Sequence, residues 1–445
     1  MDIFDLLRHR HMTSRELQTQ LNLSQGAVSA KLNKLGSRVV RYNHGRTPMY
    51  ALTRNALGSN DQIPVYMADN CGNNTVVVNL RPLYPSGFFA EKVAGTPKLL
   101  LGETEDGLFD GLPYYLQDIR PQGYIGRQIA LELSARISDF PSDLANWNEN
   151  HIGRYLLSNG EDLPGNFQLG EIGFLRRSVP PNEINRSDYP KIATQIESGE
   201  NPGSSAGGEQ PKFTAYCEDV NSHVIVKFNT DEDTSAQRRW KDILISEYCA
   251  QTVLQQYNYA AAKTEILHIE NRTFLESMRF DRVGHLGRCS MVSLLSVDAE
   301  FIGSGSNWPD VMKKLNTRGL VSEDHLNDTA VLYEFGRLIN NTDMHLGNLS
   351  LGIDGEVFRL LPIYDMCSMG FAPIREKVRL LDFELPIAAE TVLKAGLHQE
   401  LADVAFNIAN KMAEKFWRLM ISQEELSEDF RELAKKCLDH FDSKS

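Results

Sequence analysis

Residues 341–350 read Asn-Thr-Asp-Met-His-Leu-Gly-Asn-Leu-Ser, which sets Asp343 and Asn348 five positions apart. Seventeen residues beyond Asn348, the apolar run Leu360-Leu361-Pro362-Ile363-Tyr364 ends in a single carboxylate, Asp365. A fold that uses all three groups must bring one loop and the end of one apolar segment to the same point. Phosphoryl transfer needs this set. One Asp accepts the proton of a hydroxyl, while an Asn oxygen and a second Asp hold the metal that bridges the phosphates of ATP. An Asp-x-x-x-x-Asn spacing alone occurs by chance in many loops, so its weight comes from what lies upstream.

Upstream, the other parts stand in order. Gly203-Ser204-Ser205-Ala206-Gly207-Gly208-Glu209-Gln210-Pro211-Lys212-Phe213 is a loop of small residues. Such residues let backbone N–H groups approach phosphate oxygens closely. It is neither a Walker A loop nor a Gly-x-Gly-x-x-Gly, and by itself it reads more readily as a plain flexible turn. Val224-Ile225-Val226-Lys227-Phe228 is a β-branched strand interrupted by one lysine. A lysine there either faces water on an edge strand or is buried against a partner. Glu247, on the amphipathic segment Ile243–Leu254, is the expected partner, although a surface Glu is the ordinary reading of any helical one. The strand Thr273–Arg282 follows and offers its backbone as a hinge against which an adenine edge could pair.

Together these parts resemble the HipA family of bacterial serine/threonine protein kinases, the toxins of toxin–antitoxin pairs. The resemblance covers about residues 62 to 445. It rests on the Ser-x-Ala-Gly-Gly loop, on Arg279-Phe280-Asp281-Arg282 and on Asp343-x-His345-x-x-Asn348, with Phe109–Asp118 similar to that family's N-terminal subdomain. The resemblance implies Asp343 as catalytic base, His345 as a group orienting phosphates or the Asp, and Asn348 and Asp365 as Mg²⁺ ligands. It also implies that Ser205, Ala206, Gly207, Gly208, Lys227 and Asn348 hold ATP, with the main chain of Met278 and Phe280 at the adenine. A serine of the loop, Ser204 or Ser205, would be a site of self-phosphorylation. The stretch Glu209–Lys212 departs from the family's Gln-x-Lys, so no phosphate contact is carried onto Lys212. The substrate would be a cytoplasmic protein, a translation component such as an aminoacyl-tRNA synthetase among the candidates. A separate antitoxin would be a possible partner.

The first 58 residues differ in character. They hold nine Lys/Arg against three Asp/Glu, a surplus of +6 on a chain of net charge −13, which leaves −19 on residues 59–445. That asymmetry points to a basic nucleic-acid module on an acidic body. Thr13-Ser14-Arg15-Glu16 is a capping box, and Ser24 caps a second segment with Val28, Leu32 and Leu35 on one face. The short link Asn22-Leu23 predicts a helix-turn-helix. A hairpin over Val39–Leu52, with its turn at Asn43-His44-Gly45, predicts a wing whose second strand, carrying Pro48, lies at an edge. Gln25, Ser29, Lys31, Asn33 and Lys34 from the second helix and Arg46 from the wing are the candidate DNA contacts. A protein-docking role for the same module is the alternative.

These readings give an α+β chain: a winged helix over 1–58, a strand-rich lobe over 62–285 with the nucleotide-binding loop and Lys strand, and a helical lobe over 286–445. Linkers are expected at Gly58–Pro64 and Ser178–Asn182. The tail helices are expected to bury Leu401, Val404, Ile408, Met412, Phe416 and Leu419. No run approaches the ~20 apolar residues of a membrane span, and the start is no signal peptide, so the expected location is the cytoplasm. The six cysteines show no Cys-x-x-Cys and are expected to be reduced and buried. Two other functions fit part of the pattern. One is a metal-dependent nuclease using Asp343, His345 and Asp365; the other is a DNA-binding regulator whose kinase-like body senses a ligand.

Overall fold

Side-chain caps organise the N-terminal segment. Asp2 and Asp5 form a capping box on helix Ile3–His9, and Thr13 and Glu16 form another on Ser14–Leu21. Asn22, in the left-handed region at φ 51°, closes the second helix, and Ser24 caps the third, Gln25–Leu35. Val28 and Leu32 of that third helix join Leu7, Met12, Leu17 and Leu52 in a small core. The strands Val39–His44 and Thr47–Leu52 form the hairpin. Its turn sits one step later than the sequence suggested, at Gly45-Arg46, because Gly45 supplies the positive φ of 58°. The second strand is also not an edge. It lies between the first and the short strand Met12–Thr13. Pro48 is tolerated there because the short strand reaches only Met49 and Tyr50, so its missing N–H breaks no ladder bond on that side.

A computed structural model of the chain describes residues 2–57, 62–158, 162–171, 181, 183–197, 210–374, 377–378 and 381–442. They divide into two compact units, Met1–Arg120 with Ala145–Val179 and Pro121–Leu144 with Pro180–Ser445. The second expected linker thus coincides with a division between units, whereas the first lies within one. The hairpin is why. Its other face packs Val40, Tyr42 and Ala51 against Phe89 and Leu108 of an antiparallel five-stranded sheet and against Leu83, just beyond one of its strands. That sheet runs in the order Leu108–Phe109, Phe88–Lys92, Asn74–Pro82, Ile63–Ala68, Phe167–Leu169.

The second unit is built on another five-stranded sheet, in the order Thr264–Ile269, Arg272–Met278, Ser222–Phe228, Lys212–Cys217, Glu183–Ile184. Helix Ser235–Gln256 leads from the third of these strands and buries Ile243, Leu244, Cys249, Val253 and Leu254. Beyond residue 290 come helices Trp308–Thr317, Glu323–Leu338, Gln399–Ile421 and Glu428–Asp442, with a three-stranded sheet of Val292–Ser293, Ser350–Asp354 and Val357–Leu360. This is the α+β, two-lobed kinase-like arrangement. The buried face of Gln399–Ile421 is Ala402, Ala405, Ala409, Met412, Ala413, Phe416, Trp417 and Met420. Of the expected stripe only Met412 and Phe416 are buried, and Val404 is 49% exposed. The alanines turn the helix inward because they permit closer approach than a row of branched side chains. Four cysteines are buried, but Cys71 is exposed and Cys289 half-buried. Among the described residues no helix is long and apolar enough to cross a membrane.

Candidate active site

The Lys strand is the third of five, so the edge-strand reading of Lys227 does not hold. Lys227 stands opposite Lys212 on one neighbour and Leu275 on the other. Its ammonium lies 2.7 and 2.6 Å from the two oxygens of Glu247 and 2.6 Å from Oδ1 of Asp365. Lys227 is 8% exposed and Glu247 3%, whereas the Asp365 side chain keeps about a third of its surface. The helix brings Glu247 over the sheet, and the apolar run Leu361–Ile363 anchors the segment that ends in Asp365. Ile363 is held by its backbone N–H, which donates to the Ala260 carbonyl. The residues paired on sequence grounds therefore meet, with a third charge added.

These charges set one another's protonation. Burial would lower the Lys227 amine, but Asp365 and Glu247 together hold it above the ordinary lysine value. Burial raises Glu247 despite the pull of Lys227. It would also raise Asp365, yet Lys227 and then Lys212 hold that carboxyl below the usual range. The sequence alone gives Lys212 no phosphate contact. Its cross-strand register with Lys227 is what places its charge here, a relation that only strand pairing reveals.

The loop 341–348 is fixed from several sides. The Asp343 N–H donates to the Asn341 side-chain oxygen at 3.0 Å. The amide nitrogen of Asn348 donates to the Asp343 carbonyl at 2.7 Å and to its carboxylate at 3.3 Å. His345 Nδ1 accepts from the Gly347 N–H, and its Nε2 stands 3.8 Å from the Asp343 carboxylate, beyond hydrogen-bond reach. The Trp308 indole donates to the His345 carbonyl at 2.8 Å, and the Tyr364 hydroxyl bridges the Gly347 carbonyl and Ser350 Oγ. No motif in the sequence points to Trp308, and Tyr364 stands there only as part of the apolar run before Asp365. The Asp343 and His345 side chains are about half exposed.

The donor set fits a magnesium ion shared with phosphates. Because the Asn348 nitrogen is spent on Asp343, its amide oxygen is the end left for a cation. Asp365 adds a carboxylate held below its usual range by Lys227, on a backbone in the left-handed region at φ 52°. Among the described residues no three His, Cys, Asp or Glu groups gather to cage a metal. Mg²⁺ takes one or two protein oxygens and completes its shell with water and phosphate.

At the hinge strand, the Met278 N–H donates to the Lys263 carbonyl, so it is not available to a base edge. The Phe280 ring packs on Tyr364 at 5.8 Å between centroids. Asp281 is buried between Arg279 and Arg282, which fixes the Arg-Phe-Asp-Arg turn. Ser204, Ser205, Ala206, Gly207 and Gly208 lie outside the described residues.

In the first unit, Gln25, Ser29, Lys31, Asn33 and Lys34 all stand on the exposed side of helix Gln25–Leu35, and Arg46 is exposed in the hairpin turn. Arg15, Lys31, Lys34, Arg41 and Arg46 make no ion pair among the described residues, in contrast to Arg54 and Arg81, which pair with Glu149 and Glu91.

Comparison with known proteins gives a consistent set of likenesses. Residues 59–177 match the family model described as YjjJ-like toxin, middle domain, and residues 204–441 match HipA-like C-terminal domain. Toxin YjjJ of Escherichia coli (strain K12) is 34% identical over 449 aligned residues, covering 98% of this chain and 96% of that one. Among solved structures, the toxin–antitoxin complex of HipA, HipB and operator DNA from Shewanella oneidensis MR-1 contains a chain that superposes with a TM-score of 0.60. The match covers 86% of this chain and 96% of that chain at 14% identity, which speaks to the fold.

Proposed function

The chain belongs to the HipA-like toxins, and on that premise we propose that it is an ATP-dependent serine/threonine protein kinase acting on a cytoplasmic protein. The observation that carries this reading is the convergence of Glu247 and Asp365 on the Lys227 ammonium, beside a loop in which Asn348 and Asp343 are hydrogen-bonded. Lys227 would neutralise ATP phosphates, with Lys212 as a second cation close by. Asp343 would take the proton of the attacking hydroxyl, and the Asn348 contact keeps its carboxylate aimed outward. Asn348 and Asp365 would hold Mg²⁺, whose charge supports the phosphates during transfer. The nuclease reading fits less well, because it leaves the Lys227–Glu247 pair and the hinge strand without a task, whereas the kinase reading uses both.

Within the same proposal, the basic helix and hairpin turn of the first unit bind DNA, supported by their exposed, unpaired cations and amides. Ser204 or Ser205 would receive phosphate from the chain itself, and a separate antitoxin would be dispensable for a chain with its own DNA-binding module. Purified protein incubated with γ-labelled ATP and Mg²⁺ should transfer label to itself or to a cell extract, and Asp343→Ala should not. Equal labelling by both would refute Asp343 as base. DNA cleavage without ATP that dies with Asp343→Ala would favour the nuclease.

A further inference from the structure

Helix Ser235–Gln256 controls more of the site than its Glu247 contact. One residue earlier, Ser246 Oγ accepts the Ser368 N–H at 3.1 Å, and both serines are fully buried. Ser368 is three residues past Asp365, so this one helix holds both carboxylates that flank Lys227. Its first half is gripped elsewhere. Asp242, fully buried, accepts the Ser427 N–H at 2.9 Å and the Ser427 hydroxyl at 2.5 Å. Arg239, 3% exposed, donates to Asp429 at 2.6 Å and lies over the Phe430 ring. Lys241 reaches Glu425 at 3.1 Å. All of these partners lie in residues 425–430, where helix Gln399–Ile421 passes into Glu428–Asp442.

We propose that the junction at residues 425–430 is a clamp that positions Glu247 and Asp365 about Lys227, with Asp242 and Ser427 as its positioning residues. The link is mechanical. Asp242 precedes Glu247 by five residues, about 7.5 Å along a rigid helix, so a shift at the junction passes to the ammonium. Asp242 and Arg239 are buried at this grip, with the Phe371 carbonyl as a further acceptor for the guanidinium, which makes the grip discrete rather than elastic. A negative group on the Ser427 side chain would face Asp242 and Asp429 at once and release it. The inference rests on the kinase reading for its effect on nucleotide, but not for its effect on Lys227.

The test uses the full chain and four forms: wild type, Ser427→Asp, Ser427→Ala and Ser427→Thr. The first readout is the labelling rate of Lys227 by trinitrobenzenesulfonate, followed by peptide mass spectrometry. Ser427→Asp should raise it about tenfold and Ser427→Ala less, while Ser427→Thr, which keeps the hydroxyl, should match wild type. The second is affinity for Mg-ATP, which should fall about tenfold in Ser427→Asp with secondary structure unchanged. A merely structural junction would lower thermal stability and leave Lys227 as protected as before, and that result overturns the proposal. Wild type that binds no Mg-ATP while the labelling pattern holds would defeat the kinase reading and spare the clamp.

Discussion

Replacing Lys227 by Met leaves two carboxylates facing one apolar side chain. At 2.6 Å and an effective dielectric of about 20, the gross attraction between Lys227 and Glu247 is roughly 6 kcal/mol. Most of this is offset by the cost of desolvating both ions, so the pair's net contribution is small. Deleting the cation alone removes the attraction and keeps the buried charge, a cost of about 3–5 kcal/mol. The Asp365 arm, about a third exposed and screened by water, adds less than about 1 kcal/mol. For a unit of this size the melting temperature should fall by about 5–10 °C at pH 8. Glu247, already raised by burial, would rise further without its lysine. A folded-state value above the unfolded one gives stability that is present at low pH and lost as pH rises through that value. The deficit of Lys227→Met should therefore shrink at pH 5.5. Adding Glu247→Gln should restore most of the stability at pH 8, because no buried charge is then orphaned, while phosphoryl transfer stays absent. Scanning fluorimetry at the two pH values reads all of this. A deficit independent of pH, or no rescue by the double variant, would refute the ion-triad account.

Three further outcomes follow from other residues. Asp365→Gly and Asp365→Ala should both abolish transfer, but the glycine form should be more stable by about 1 kcal/mol because it relieves the left-handed backbone; equal melting temperatures would count against that strain. Replacing Gln25, Ser29, Lys31 and Lys34 by alanine should weaken DNA retention and flatten its salt dependence with the fold intact, and unchanged retention would remove the recognition-helix assignment. Substitution is the better probe than truncation, since residues 40, 42 and 51 share a core with the adjoining sheet. Burial pushes the Asp242 carboxyl up to about 6, with the Ser427 hydrogen bonds, Arg239 and Asp429 as its other influences. Stability from this group is full below the unfolded value near about 4 and is lost as pH rises through about 6, so Asp242→Asn should flatten that window in a melting-temperature profile.

Much of this protein was legible in one dimension because the relevant signals are local. Capping boxes are three residues long, so Thr13–Glu16 announced its helix without tertiary help. Asp343 and Asn348 lie in one loop whose own backbone sets their distance, and the lysine in an apolar strand demanded a partner that sequence order could nominate. What depends on pairing between distant segments was not readable there. The strand order put Lys227 at the centre of a sheet and Lys212 opposite it, and chain folding over more than a hundred residues brought Asp365 to the same ammonium. Likewise, a periodic stripe on the helix Gln399–Ile421 could not say which side its neighbours would leave free, and alanines turned out to face inward. Local sequence fixes conformation through bonds a few residues apart, whereas burial and charge depend on which surfaces meet, and that is decided only when the whole chain has packed.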